Sequence, residues 1–175
     1  MKNLIAIIAG LVLAFNLGAQ TIIPLSADTA AAIGYTHKVV ITSADVKAAT
    51  TGSATNVTLR IFPENTASGI ASNSIIDGLA VYLDAPFTNS AAPQQTALGL
   101  QLGDAGDVDR YIQLAVGPTN TAIFAATNAF RFETSSTNYL VAGFFGTNAN
   151  TSVGLTNLAG GKVNIYFKLV PMKGR

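Results

Sequence analysis

Beyond residue 20 the apolar residues never hold a three-and-four spacing over a long window. They come in short runs, alternating or wholly apolar. A period of two puts successive side chains on opposite faces of a strand, whereas an amphipathic helix needs a period near 3.6. Nine such runs follow one another, at 21–25, 35–42, 56–62, 78–83, 97–102, 110–116, 129–134, 139–145 and 162–170. Turn-forming residues stand between them: Thr51-Gly52-Ser53, Asp77-Gly78, Ala92-Pro93, Gly117-Pro118 and Gly160-Gly161. Strands at this spacing, with no long helical segment between them, predict an all-β fold. The expected form is an antiparallel two-sheet sandwich, jelly-roll-like, and not a parallel α/β sheet. One short helix is expected at Ala27–Ile33, capped by Ser26 or Asp28.

Parity within each run predicts which side chains face inward. Val57, Leu59 and Ile61 share one face, as do Phe130 and Phe132, and as do Val163, Ile165 and Phe167. On the opposite face of the last run, Asn164, Tyr166 and Lys168 are expected to be more exposed.

The first 20 residues read differently. Lys2 gives a short positive start, 4–15 is an apolar stretch, and Leu17-Gly18-Ala19 puts a small residue before Gln20. That is the pattern of a secretory signal peptide, and the stretch is short for a membrane span of about 20 residues. The expected organisation is 1–19 as signal peptide or hydrophobic anchor and 20–175 as a single β-sandwich domain. Contact with a membrane is expected only if the N-terminal segment is retained.

Apolar side chains make up 49% of the chain, enough for a real core, while charged residues are only 11%, against about 25% in typical soluble proteins. Ten basic residues face nine acidic ones, and loss of Lys2 with a leader would leave nine of each. Such a balance has no electrostatic footprint for nucleic acid, and it favours association over mutual repulsion. With no cysteine in the chain, thiolate catalysis, disulfides and cysteine-bound zinc are excluded.

The sharpest local feature is the acidic segment 103–110, which holds Asp104, Asp107 and Asp109 between glycines and Arg110. Hard cations want several oxygens on a tight loop, so these three are the metal-ligand candidates. The segment is not an EF-hand, because the position that needs a bidentate Glu is Ala115. The competing structural reading is a hairpin turn whose Asp side chains bond backbone amides, with Arg110 paired to a carboxylate. His37 is the only histidine and has no sequence-local carboxylate, and no Gly-x-Ser-x-Gly elbow presents a nucleophile. No catalytic residue, cofactor or bound metal is therefore assigned, and the chain is expected not to be an enzyme.

Three segments carry a family resemblance: TIIPL at 21–25, GDAGDVDRYI at 103–112 and GGKVNIYFKL at 160–169. Together they resemble small phage virion structural proteins of the head-decoration or minor-capsid kind. The resemblance implies a β-sandwich that acts by protein–protein assembly in the virion, with itself and a capsid or surface-lattice protein as partners. Such proteins assemble in the cytoplasm, and here residues 1–20 depart from the pattern. The alternative is an exported bacterial surface or filament-forming β-domain, secreted or on the cell surface, with glycan binding as one role open to it. An oligomer is expected on either reading, since interface cores are poor in charge and open sandwiches have strand edges to cover.

Overall fold

A computed structural model describes residues 22–52, 55–61, 74–90, 98–104, 106–117, 124–133 (backbone only), 140–146 and 154–171. The elements are β1 (Ile22–Pro24), α1 (Ala27–Ile33), β2 (His37–Thr42), α2 (Ser43–Ala49), β3 (Asn56–Arg60), β4 (Ser74–Asn89), β5 (Leu98–Asp104), β6 (Asp107–Ala115), β7 (Phe124–Glu133), β8 (Leu140–Gly146) and β9 (Leu158–Pro171). Each expected run becomes a strand. The stretch 1–19, expected to be a signal peptide or hydrophobic anchor, and the expected Ala92-Pro93 turn lie outside the described residues.

Two antiparallel sheets form, in the orders β1-β2-β9-β4-β7 and β3-β8-β5-β6. The pairings nest: β5 with β6, β4 with β7, β3 with β8 and β2 with β9. The chain thus behaves as one long antiparallel ribbon rolled up so that alternate strand pairs fall into opposite sheets. That is the jelly-roll order, with β1 added at one edge.

The core lies between the sheets and is built from the inward parity of each strand. Val39, Ile41, Val81, Val163, Ile165 and Phe167 come from one sheet; Leu59, Leu100, Leu102, Leu140 and Phe144 meet them from the other. Phe87 and Phe144 close the gap with ring centroids 5.2 Å apart. Of the expected inward set, Leu59, Ile61, Val163, Ile165 and Phe167 are buried, Val57 is half-buried, and the side chains of Phe130 and Phe132 lie outside the described residues. Asn164 corrects the expectation for the outer face: it is buried. β9 is a central strand, and Val40 and Tyr82 sit directly across from Asn164 on either side, so its cross-strand neighbours cover it.

Two local expectations also change. Asp77-Gly78 is not a turn between strands but a bulge inside β4, where Gly78 takes φ 98° and the pairing shifts on both flanks. Only glycine reaches that conformation cheaply, so glycine signals a turn and a bulge alike. Gly160-Gly161 likewise lies within β9.

The sequence pattern gave no warning of α2. It starts on a capping box: the Thr42 hydroxyl accepts from the Asp45 amide, and the Asp45 carboxylate accepts from the Thr42 amide at 2.7 Å. Val46 is buried, and the Thr50 hydroxyl donates to the Val46 carbonyl at 2.6 Å as the helix ends. Packed on β3 and β9, α2 covers the opening between the sheets where the chain crosses from one to the other.

Candidate functional site

The acidic segment forms the β5–β6 hairpin turn, with a pronounced bulge. The ladder runs from Leu102↔Ile112 to Asp104↔Asp107, so Gly103 alone faces the four residues 108–111. The excess chain folds back as a flap over the outer face of the four-stranded sheet. A Cβ on Gly103 would collide with the backbone of Asp107 and Val108, and one on Gly143 would come within 2.7 Å of the Val108 side chain. Gly103 is therefore the floor on which the flap rests. On the same face the Phe145 ring lies over Gly99.

Asp104 holds the flap down. Its side chain is 5% exposed. Oδ1 accepts from the amides of Gly106 (2.9 Å) and Asp107 (3.1 Å). Oδ2 accepts from the Arg110 guanidinium (2.5 Å) and the Tyr111 hydroxyl (2.9 Å). Burial pushes the Asp104 carboxyl upward, but the Tyr111 and Gly106 hydrogen bonds, the Arg110 charge and the Asp107 amide together hold it below its ordinary value. Tyr111 is pushed up to about 12, by burial first and then by its hydrogen bond to the Asp104 carboxylate.

The three acidic candidates do not converge. Asp104 spends both oxygens inside the turn. Asp107 sits 3.8 Å from Arg110 Nε, and Asp109 accepts from the Gln101 amide at 3.5 Å. The Asp109 carboxyl is raised by a hydrogen bond with its neighbour Asp107 first, then by desolvation and by the Asp107 charge. Among the described residues no group of three His, Cys, Asp or Glu side chains is arranged to hold a metal ion.

His37 belongs to the fold. Its Nδ1 meets the Thr36 hydroxyl at 2.8 Å and its ring stacks on Phe167, centroids 5.7 Å apart and 6° from parallel. Burial lowers its pKa. The Thr36 hydroxyl also accepts from the Leu169 amide at 2.8 Å, so it ties β2 to β9.

The outer face of the five-stranded sheet contrasts with the flap-covered face. Four large apolar side chains among the described residues are substantially exposed: Ile23, Ile33, Tyr82 and Val170, at 36–44%. All lie on this side. Ile23, Tyr82 and Val170 point outward from β1, β4 and β9, and Ile33 ends α1, a helix that buries none of its residues. Tyr35 lies against Tyr166, centroids 6.3 Å apart. Two ion pairs join β4 to β9 on this face, Asp84–Lys162 at 2.6 Å and Asp77–Lys168 at 3.8 Å.

No family model and no curated protein matches this chain. Among solved structures, a chain titled "Cyanophage Pam1 capsid asymmetric unit" is similar to it. The two are 20% identical over 77% of this chain and 82% of that one, with a TM-score of 0.47.

Sequence reasoning found the acidic turn but not the outer sheet face. Alternation along β4 and β9 assigns each side chain to one of two faces. It does not say which face the rest of the chain leaves bare.

Proposed function

We propose that this chain is a non-catalytic virion structural protein, a capsid-decoration, minor-capsid or spike subunit that acts through protein–protein assembly. The observation that carries the reading is the jelly-roll strand order wrapped around a solid apolar core. Jelly rolls serve in viral capsids, in lectins and in cupins, and the step from fold to role is made by analogy with these. A cupin-type site needs ligands converging inside the barrel; here the interior of β2, β4, β5, β8 and β9 is mostly aliphatic and aromatic, with His37, Asn89 and Asp104 as polar members at separate strand ends. What polar chemistry the described residues offer is structural: Asp104 is saturated by four donors, and His37 contacts a hydroxyl and a phenyl ring.

The segment 1–20 favours a second reading, an exported surface or filament-forming β-domain. Immunogold electron microscopy of the producing cells and their lysate separates the two. Label on virus particles is the expected result; label on the cell envelope or on filaments, with particles bare, would replace the first reading by the second.

A further inference from the structure

We propose that the outer face of the five-stranded sheet docks a second copy of this chain, sheet against sheet, about a twofold axis running between β4 and β9 parallel to the strands. This deepens the structural-subunit reading, on which it rests for its setting, by naming a surface and a partner.

The first support is the asymmetry of the sandwich. One outer face carries the protein's own flap and the Phe145 ring over its middle strands β5 and β8, and the exposed Asn56, Thr58 and Gln113 on its edge strands are polar. The other carries the exposed large apolar side chains of the described residues, together with α1. Exposed apolar side chains gathered on one side, with charges among them, are what a protein–protein surface presents.

The second support is the pattern across the two central strands. An axis parallel to the strands keeps each row level and exchanges β4 with β9, so every residue of β9 meets its own cross-strand partner in the other copy. The rows read Val170 with Ile75, Tyr166 with Ala80, and Tyr82 with Asn164. The first sets apolar on apolar; Ala80 and Asn164 are already buried within their own chain, so the other two rows bring the exposed Tyr82 and the half-buried Tyr166 over covered positions. The same exchange puts Lys168 beside Asp77 and Lys162 beside Asp84, the pairs already formed within one chain. Every charge on β9 is thus met by its opposite at both ends of the face. Such a surface is self-complementary, which is what an isologous interface requires.

Charge also argues against other occupants. Lys38, Lys162 and Lys168 stand against Asp77 and Asp84, a balance that gives nucleic acid or a strongly acidic partner little to hold. β1, β2, β4 and β9 hold 3, 6, 16 and 14 residues, which at about 3.3 Å per residue and 4.8 Å between strands present roughly 600 Å² in projection. α1 and β7 extend that area toward the ~800 Å² a side of a standard interface.

The test is sedimentation equilibrium of the full-length chain from about 1 to 100 µM, the micromolar range of moderate affinities. The wild type is expected to reach twice the 18.0 kDa chain mass. Two double variants reverse the charges, Lys162→Asp with Lys168→Asp, and Asp77→Lys with Asp84→Lys. Each alone is expected to stay monomeric, because like charges then meet across the axis. An equimolar mixture is expected to dimerise, because the negative β9 of one faces the positive β4 of the other. Tyr82→Ser, an uncharged change at an exposed position, is a second measurement with an expected tenfold or greater rise in Kd. A monomeric wild type, dimers that persist unchanged in the variants, or an unchanged Kd for Tyr82→Ser would each overturn the proposal. So would folded variants, with unaltered far-UV circular dichroism, that fail to pair when mixed. Labelled virus particles together with a monomeric protein would remove this interface and leave the subunit role standing. A dimer with unlabelled particles would do the reverse.

Discussion

Replacing Asp104 by Asn tests how the flap is held. The amide oxygen can still accept from Gly106 and Asp107, as Oδ1 does now at 2.9 and 3.1 Å. The new amide nitrogen sits where Oδ2 accepted from Arg110 and Tyr111, and it cannot accept from either. A hydrogen bond to a charged group is worth about 1.5–3 kcal/mol, which applies to the Tyr111 bond in its half-buried setting. Arg110 is 52% exposed, so solvent screens its ion pair and it adds little. The expected loss is about 1.5–3 kcal/mol at pH 7, measured by urea unfolding with wild type and variant at equal slope. The pH dependence has a definite sign. The folded Asp104 carboxyl lies below its unfolded value of about 3.9, so its contribution is fully present above that value and is lost as pH falls through the lower, folded one. The gap between wild type and variant should be flat from about pH 5 to 8 and should shrink below about pH 4. The same variant should bring Tyr111 down from about 12, seen as earlier ionisation in an ultraviolet titration. A gap under about 0.5 kcal/mol, the range of ordinary surface changes, would refute the clamp. So would a gap that persists unchanged through acid.

Ile165 is fully buried at the centre of β9, so Ile165→Ala should cost about 2–5 kcal/mol in chemical denaturation; under 0.5 kcal/mol would mean that the parity of β9 is misassigned. Gly103→Ala should expel the flap, because the added methyl meets the backbone of Asp107 and Val108. Faster amide exchange at Gly106 and Asp107 would report it, and wild-type protection there would contradict the close approach. The His37 ring should titrate below its usual 6.5 by NMR. A His whose folded value is lowered makes stability fall as pH drops through about 6.5 toward that value, and His37→Asn should flatten this limb. A His37 midpoint at or above 6.5 would go against the stacked, half-buried ring.

The strands were legible because a two-residue period survives burial on either face: 162–170 reads as a strand whatever lies on each side of it. The sheet order was not. Pairing His37 with Phe167 joins residues that share no local signal, and only the packed sandwich makes them neighbours. α2 escaped notice because seven residues are too few for a helical period to register; Thr42 and Asp45, three apart, were the sign that could have been read. The two glycine pairs misled in the same way, since positive φ serves a bulge as well as a turn. At the acidic segment the hairpin could be read from the spacing of Asp and Gly. Its tight anchoring on Gly103 and Gly143 could not, because that depends on a strand some thirty residues further along the chain.

The place of β9 sets a timetable. This strand lies between β2 and β4 and is the one that joins them. During synthesis, β2 emerges more than a hundred residues before its partner, so at roughly 5–20 residues per second it waits on the order of ten seconds. Through that interval β2, with β1 on one edge, and β4, with β7 on one edge once that strand is made, each keep the other edge open beside side chains such as Val39, Ile41, Val81 and Leu83 that are buried in the finished sandwich. Closure of the five-stranded sheet is therefore a late event that depends on nearly the whole chain having been made. A nascent fragment ending before residue 158 would present the open edges of β2 and β4 to any chaperone, or to any other nascent chain, within reach.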